Sequence, residues 1–176
     1  LTSEKSIKNV LRQYEESLEA EFGSIIKEEV KGIKTIEEPE LCPQYIAAVM
    51  GGVTIKESPQ WMQKRLRACG VKPINNVVDT MNYVMLEIGQ PLHVFDKEKI
   101  EGGGLVVRMA KKGERIATLD GEEKILGNTL VIADAKGPVA IAGIKGGERT
   151  GVSDSTKTVV IESANFNPLY TRASAR

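Results

Sequence analysis

The sequence has few of the residues that build metal sites and disulfide frameworks. Among its 176 residues there are two cysteines, Cys42 and Cys69, and one histidine, His93. This set cannot supply a zinc site at ordinary ligand spacing, so we expect no bound metal. Two cysteines so far apart are also too few for a disulfide framework. We therefore expect reduced thiols and a cytoplasmic location.

The sequence also lacks an excess of charge of one sign and a long hydrophobic run. Basic and acidic residues each number 24, so the formal net charge is zero. This balance argues against a nucleic-acid binder that depends on overall basic charge, whereas local clusters such as Lys111 with Lys112 fit either phosphate contacts or a solvated surface. No apolar stretch approaches the roughly 18 residues that a membrane span needs. The chain begins without methionine, and we expect it to be a piece of a longer protein.

Hydrophobic residues make up 41% of the sequence, which is enough for a sizeable core. We expect residues 1–38 to form a separate N-terminal segment of helix and linker. Within it, apolar residues recur at helical spacing from Ile7 to Phe22 and predict an acidic helix that packs against a neighbour. The sequence gives no reason to assign this segment a function.

The remainder of the sequence predicts helices first and short strands afterwards. Ser58 as a cap followed by Pro59 predicts a helix that ends at Gly70, and a second helix is predicted over 76–88. Short apolar runs separated by turn residues follow, among them a hairpin at 120–121. This order predicts an α+β fold of mixed sheets of short strands with two or three helices.

Three places in the sequence have chemical potential, and each allows two interpretations. The glycine-rich stretch 142–147 follows a predicted strand and is either a site where a ligand approaches backbone amides or a tight turn. His93 follows a helix end and is either a packed residue beside Phe95 or a catalytic group. Glu162 lies in an apolar predicted strand, so its carboxylate either points to an open face or is held by donors in a pocket.

Several long blocks of the sequence follow one another in a recognisable order: CPQYIAAVMGGV, SPQWMQKRLRACGVKPINNVVDTMNYVMLEIGQPLHVFD, IEGGGLVVRMAKKGE, TLDGEEKIL, NTLVIAD, AIAGIKGGERTGV and VVIESANFNPLYTRASAR. Together these blocks resemble the editing region of the bacterial-type phenylalanine–tRNA ligase beta subunit, from about residue 40 to residue 176. The resemblance implies two interlocked subdomains. The outer one comprises residues 39–77 and 131–176, and the inserted one comprises residues 78–130.

The resemblance also implies a function, which is the hydrolysis of tyrosine wrongly attached to the phenylalanine tRNA. A hydrophobic synthetic pocket rejects an isostere that adds a hydroxyl by only about 10², so a second pocket that binds this hydroxyl is needed. The implied partners are the mischarged tRNA and the alpha subunit in an alpha2beta2 heterotetramer, with no membrane. No cofactor is implied for this chain, whereas ATP and magnesium are implied for the complete ligase.

The resemblance assigns roles to individual residues. Glu162 matches the glutamate that accepts the tyrosine phenol. His93 matches the histidine near the scissile ester, and Asn82 matches an asparagine that helps to hold the tRNA end and the water. The pocket wall that admits tyrosine matches Ala142, Gly143, Gly146 and Gly147.

The sequence departs from the family pattern at Met81, where the family usually has threonine beside the asparagine. Methionine cannot donate a hydroxyl hydrogen bond to the ester end of the substrate. This difference favours the alternative hypothesis of a non-catalytic structural or tRNA-docking module with weak or lost editing. A free-standing editing factor is a third interpretation, and the zero net charge argues against it because such a factor needs its own grip on tRNA.

Overall fold

The computed structural model of the protein describes residues 34–174. The acidic helix predicted between Ile7 and Phe22 lies outside them. The described strands are β1 (Lys34–Ile36), β2 (Gln44–Met50), β3 (Leu92–Asp96), β4 (Leu105–Met109), β5 (Arg115–Ala117), β6 (Glu123–Ile125), β7 (Leu130–Ala133), β8 (Pro138–Ile141), β9 (Lys145–Gly146) and β10 (Val159–Asn165). The described α-helices are α1 (Gln60–Ala68), α2 (Asn76–Ile88) and α3 (Pro168–Ser174).

The strands of this region form three sheets. A five-stranded sheet has the order β1-β4-β7-β8-β9, a three-stranded sheet has the order β2-β10-β3, and β5 pairs with β6. The pair β1–β4 is parallel, whereas β10 is antiparallel to both of its neighbours. These small mixed sheets with three helices confirm the predicted α+β fold.

The main core lies between the three-stranded and the five-stranded sheet. Side chains alternate between the faces of a strand, so Val160, Glu162 and Ala164 of β10 share one face. Val160 of this face is fully buried against apolar residues of the other sheet. The cluster includes Tyr45, Val49, Phe95, Leu105, Val107, Ile132, Val139 and Ala142.

The opposite face of the three-stranded sheet packs against α2. Val94 and Val159 of this face form a second buried cluster with Met81 of α2 and with Val53. These described residues therefore form three layers, in which α2, with α1 beside it, covers one face of the three-stranded sheet and the five-stranded sheet covers the other.

The predicted bounds of the second helix are confirmed. The side chain of Asn75 accepts hydrogen bonds from the backbone N–H groups of Val77 and Val78, at 3.1 and 3.0 Å, and so caps the first turn of α2. Gly89 ends the helix in the left-handed conformation, with φ of 74°.

The start of α1 differs from the prediction. Pro59, not Ser58, occupies the cap position, and no side chain caps this helix. The Ser58 hydroxyl instead donates to the carboxylate of Asp79 on α2. This hydrogen bond connects the loop before α1 to α2. It also gives the buried Ser58 hydroxyl a partner, as buried polar groups generally have.

Strand pairing crosses the expected subdomain boundaries. β3 belongs to the range 78–130 but pairs with β10, which belongs to the outer range. Likewise, β4 pairs with β7, which spans the expected boundary at 130 and 131. Both large sheets therefore combine strands from the two ranges, and the division into an outer and an inserted subdomain stays a prediction.

Candidate functional site

The candidate site is built on the central strand of the three-stranded sheet. In the register of this sheet, Glu162 of β10 lies opposite Ala47 of β2 on one side and opposite His93 of β3 on the other. Residues directly opposite one another have Cβ atoms about 5 Å apart on the same face. The fold therefore brings Glu162 and His93 together, on the face that is turned towards the five-stranded sheet.

The Glu162 carboxylate is buried, with 5% of the residue exposed. The phenol hydroxyl of Tyr45 donates a hydrogen bond to its Oε2 atom at 3.0 Å. Burial raises the pKa of Glu162 to about 7, and the hydrogen bond from Tyr45 opposes this rise. Burial first, and then the charge of Glu162, raises the pKa of Tyr45 far above its ordinary value, so the phenol remains a donor.

Tyr45 contacts the carboxylate of the candidate site, although no feature of the sequence singled it out. It lies opposite Ala164, two positions along the ladder from the pair of Glu162 with Ala47. The two small alanines leave space over which the long side chains of Tyr45 and Glu162 meet diagonally. The alternation of β2 is the signal that could have found it, once β2 was paired with β10.

His93 is packed against Phe95 and lies opposite Glu162, and its catalytic role stays a prediction. Its ring stacks edge to face on Phe95, with ring centroids 4.5 Å apart and an interplanar angle of 77°. Burial lowers the pKa of His93 to about 4. The imidazole is therefore neutral at pH 7 and offers one donor and one acceptor nitrogen.

Gly146 of β9 brings the five-stranded sheet into contact with this histidine. A Cβ atom on Gly146 would lie 2.8 Å from His93 Nε2 and 3.0 Å from Leu119 Cδ1. A side chain at this position would thus overlap the imidazole, and glycine is required by close approach. Gly146 is the member of the predicted glycine wall that contacts His93.

The other two glycines of the predicted wall lie close to groups other than His93. A Cβ atom on Gly143, which has φ of 67°, would lie 2.9 Å from the Phe166 ring. A Cβ atom on Gly147 would lie 2.6 Å from the carbonyl oxygen of Val139. These two glycines therefore allow close packing within the domain, and their role towards a substrate stays a prediction.

Three of the six backbone amides in the stretch 142–147 donate hydrogen bonds within the domain. The N–H groups of Ala142, Ile144 and Gly147 donate to carbonyl oxygens of neighbouring residues at 3.0, 3.0 and 2.8 Å. Ala142 is itself 2% exposed and belongs to the core between the sheets. The stretch is thus a turn with a short strand, and these three amides do not form an open cradle.

Two predicted site residues lie in the helix layer. Met81 is 7% exposed and packs with Val94 and Val159, which alternate with His93 and Glu162 and so belong to the opposite face of the sheet. Asn82 is half-buried and follows it on α2. The structure therefore does not bring the Met81 side chain onto the face that carries Glu162, and the substrate roles of Met81 and Asn82 stay predictions.

Within residues 34–174, no three His, Cys, Asp or Glu side chains are arranged so that they could hold a metal ion. None of the helices in the same range has the length and apolar character needed to cross a membrane.

The family model of the B3/4 domain matches residues 41–176. Phenylalanine–tRNA ligase beta subunits are similar over about 140 residues. Those of Symbiobacterium thermophilum and Carboxydothermus hydrogenoformans are 52% and 51% identical over 80% of this chain, and that of Aquifex aeolicus is 54% identical over 79%. The matched parts make up 16%, 18% and 18% of these relatives, so the chain spans less than a fifth of their length.

Among solved structures, similarity extends to the crystal structure of an N-terminal fragment of the phenylalanyl-tRNA synthetase beta subunit from Pyrococcus horikoshii. The TM-score is 0.59 at 19% sequence identity, and the match covers 82% of this chain and 46% of that one. At this identity the likeness shows a shared fold.

Proposed function

This chain belongs to the B3/4 domain family, and from that premise we propose that it is the editing module of a phenylalanine–tRNA ligase beta subunit. Its reaction is the hydrolysis of the ester that joins tyrosine to the phenylalanine tRNA. The observation that carries the proposal is a single carboxylate, Glu162, which is kept buried beside the only imidazole of the sequence.

A buried carboxylate at this position is costly for the fold. Its pKa of about 7 means that burial works against the charged form. Strongly perturbed acids of this kind are concentrated at functional sites. The carboxylate already accepts a hydrogen bond from one phenol, that of Tyr45, which supports recognition of a second phenol on the substrate.

Recognition through the phenol gives the selectivity that editing needs. A site built to bind a hydroxyl rejects the analogue that lacks it by roughly 10⁴ or more, because a buried polar group is then left without its partner. We infer that Glu162 accepts the phenol hydroxyl of tyrosine. Phenylalanine offers no such donor, and its ester is spared.

Hydrolysis of the ester requires few contributions from the protein. The water oxygen bonds to the ester carbonyl carbon, the bond from that carbon to the ribose oxygen of the terminal nucleotide breaks, and the ribose oxygen gains a proton. Holding the water near the ester contributes much of the acceleration. We infer that the neutral His93 orients this water through its acceptor nitrogen, and that Asn82 helps to hold the tRNA end.

The complete ligase supplies the remaining chemistry. We propose that this chain lies in the beta subunit of an alpha2beta2 heterotetramer. ATP and magnesium act there in aminoacylation, outside this chain, and the mischarged tRNA is the partner that brings the ester to Glu162.

A non-catalytic module that braces the ligase or docks tRNA is the second candidate. The engaged amides of Ala142, Ile144 and Gly147 favour it, because they do not stabilise an oxyanion. The position of Met81 in the helix layer favours it as well.

Hydrolysis of the tyrosine ester of the phenylalanine tRNA distinguishes the two candidate functions. The assay uses the complete ligase and compares the wild type with Glu162→Ala and His93→Ala, with Glu123→Ala on exposed β6 as the matched control. Editing requires rapid release of tyrosine by the wild type and the control, and slow release by the two site variants. If the wild type releases tyrosine no faster than buffer does, the proposed function is wrong and the second candidate is favoured.

A further inference from the structure

We propose that Tyr45 is a positioning residue for substrate selection, which acts by holding one oxygen of the Glu162 carboxylate and turning the other towards the substrate phenol. This inference rests on the proposed function, since it concerns the carboxylate that we assign to phenol recognition. It adds a residue for which no part of the sequence pattern suggested a role.

The hydrogen bond from Tyr45 restrains the orientation of the Glu162 carboxylate. The Tyr45 hydroxyl donates to Glu162 Oε2 at 3.0 Å, and both groups are buried. A carboxylate has two oxygens and about four acceptor positions, so a bond to Oε2 leaves Oε1 for a second donor. The torsion that turns the carboxylate is broad when nothing restrains it. A fixed donor at Oε2 therefore determines where Oε1 points.

Tyr45 is itself held in place. β2 and β10 pair without interruption over seven residues, from Gln44 opposite Asn165 to Met50 opposite Val159. The ring of Tyr45 is 1% exposed and lies in the core that also contains Phe95 and Val160. The backbone ladder and the packed ring together fix the hydroxyl relative to Glu162.

Packing needs the ring of Tyr45 but not its hydroxyl. A phenylalanine would fill the same core, and a buried hydroxyl is unfavourable unless it is hydrogen-bonded. This hydroxyl donates to Glu162, the group that we assign to substrate recognition. The hydroxyl therefore contributes to the site as well as to the core.

The groups around the Glu162 carboxylate indicate that Tyr45 also influences its protonation. Tyr45 reaches it from β2, His93 lies opposite it on β3, and Cys42 belongs to the same buried cluster as Tyr45. The five-stranded sheet contributes apolar residues to this core. Burial raises the pKa of Glu162, and the Tyr45 hydrogen bond opposes that rise. Loss of the hydroxyl therefore favours the protonated acid, which is a poorer acceptor for a phenol.

The test is to measure deacylation of the tyrosine and the phenylalanine esters of the phenylalanine tRNA by the complete ligase, as a function of pH. Tyr45→Phe removes one oxygen atom. We expect it to slow hydrolysis of the tyrosine ester about tenfold or more, in line with loss of a hydrogen bond to a charged group, and to leave the phenylalanine ester unaffected. The pH midpoint for the tyrosine ester should move upwards.

Tyr83→Phe is the matched control, because the Tyr83 hydroxyl accepts a hydrogen bond from Arg65 in the helix layer. We expect the control to behave as the wild type. Equal slowing of both esters by Tyr45→Phe, or an unchanged pH midpoint, would mean that the hydroxyl serves folding alone and would overturn the inference.

A Glu162→Ala variant in the same assay keeps this inference distinct from the proposed function. If Glu162→Ala slows hydrolysis of the tyrosine ester but Tyr45→Phe does not, the role of Tyr45 is refuted and editing stands. If neither substitution has an effect, the assignment of Glu162 fails as well. If both act, the double variant should be no slower than Glu162→Ala, because Tyr45 acts through that carboxylate.

Discussion

At the scale of single residues, Glu162 makes the stability of the protein depend on pH. Burial raises its pKa from an ordinary 4.5 to about 7 in the folded protein. A carboxyl whose folded pKa is raised contributes stability that is fully present below its unfolded pKa and is lost as the pH rises through the folded value. The difference between the two pKa values corresponds to about 3 kcal/mol at most.

Glu162→Gln should therefore gain stability relative to the wild type as the pH rises. Glutamine keeps an acceptor for Tyr45 and never carries the charge. We expect the difference in free energy of unfolding to shift towards the variant by up to about 3 kcal/mol between about pH 5 and about pH 8.5. Denaturant titration at the two pH values measures it. Glu123→Gln, at an exposed position of β6, is the control, and a shift of the same size there would refute the explanation by burial.

The contact between Gly146 and His93 leads to a prediction about hydrolysis. Gly146→Ala places a Cβ atom within 2.8 Å of His93 Nε2, so the imidazole has to move. We expect hydrolysis of the tyrosine ester to fall by about tenfold or more, since a displacement of about 1 Å at a reacting centre can cost 10²-fold.

Gly127→Ala is the matched control for this substitution. A Cβ atom on Gly127 would meet nothing within 4 Å, and hydrolysis should be unchanged. The NMR signal of the only histidine reports on its surroundings directly. If this signal is the same in wild type and Gly146→Ala, the proposed contact is wrong.

The candidate site residues were predictable only in part from the sequence. Glu162 stands out because a carboxylate interrupts an apolar run, and His93 because it is the only histidine. Tyr45 does not stand out, since a tyrosine in an apolar strand is ordinary until its partner is known. Met81 differs from these residues. Its position beside Asn82 suggested a role at the site, whereas its side chain packs in the helix layer.

At the scale of elements, the cap of α2 gives a testable contribution to stability. Asn75 satisfies two N–H groups of the first turn, and α2 carries the predicted site residue Asn82. Asn75→Ala should lower the free energy of unfolding by about 1 kcal/mol. Asn75→Asp retains the acceptor and should be close to the wild type in the same denaturant titration. Equal loss in both variants would show that the cap is not the cause.

Elements defined by local signals were predictable, and those defined by distant partners were not. The sequence of α2 has helical periodicity, and Gly89 ends the helix. The local sequence therefore determines both bounds. β3 was missed because only five residues form it, directly after a helix end, and its pairing partner is β10, more than sixty positions away. The alternation of β3 shows which face carries His93 only after β3 is paired with β10, which places His93 opposite Glu162.

At the scale of the whole molecule, the order of elements predicted the α+β class but not the layers. The three-stranded sheet joins β2 and β10 from the two ends of the described region with β3 from its middle. Such pairing depends on long-range contacts, which a single sequence does not display. The same pairing brings Glu162 and His93 together, so the site exists only in the assembled fold.

The most direct test of the account is the ratio of two hydrolysis rates. The complete ligase is given the tyrosine ester and the phenylalanine ester of the phenylalanine tRNA separately, as wild type and as Glu162→Ala. We predict that the wild type hydrolyses the tyrosine ester far faster than the phenylalanine ester and that the ratio collapses towards one in the variant. A ratio that is the same in wild type and variant would contradict the role of the buried carboxylate.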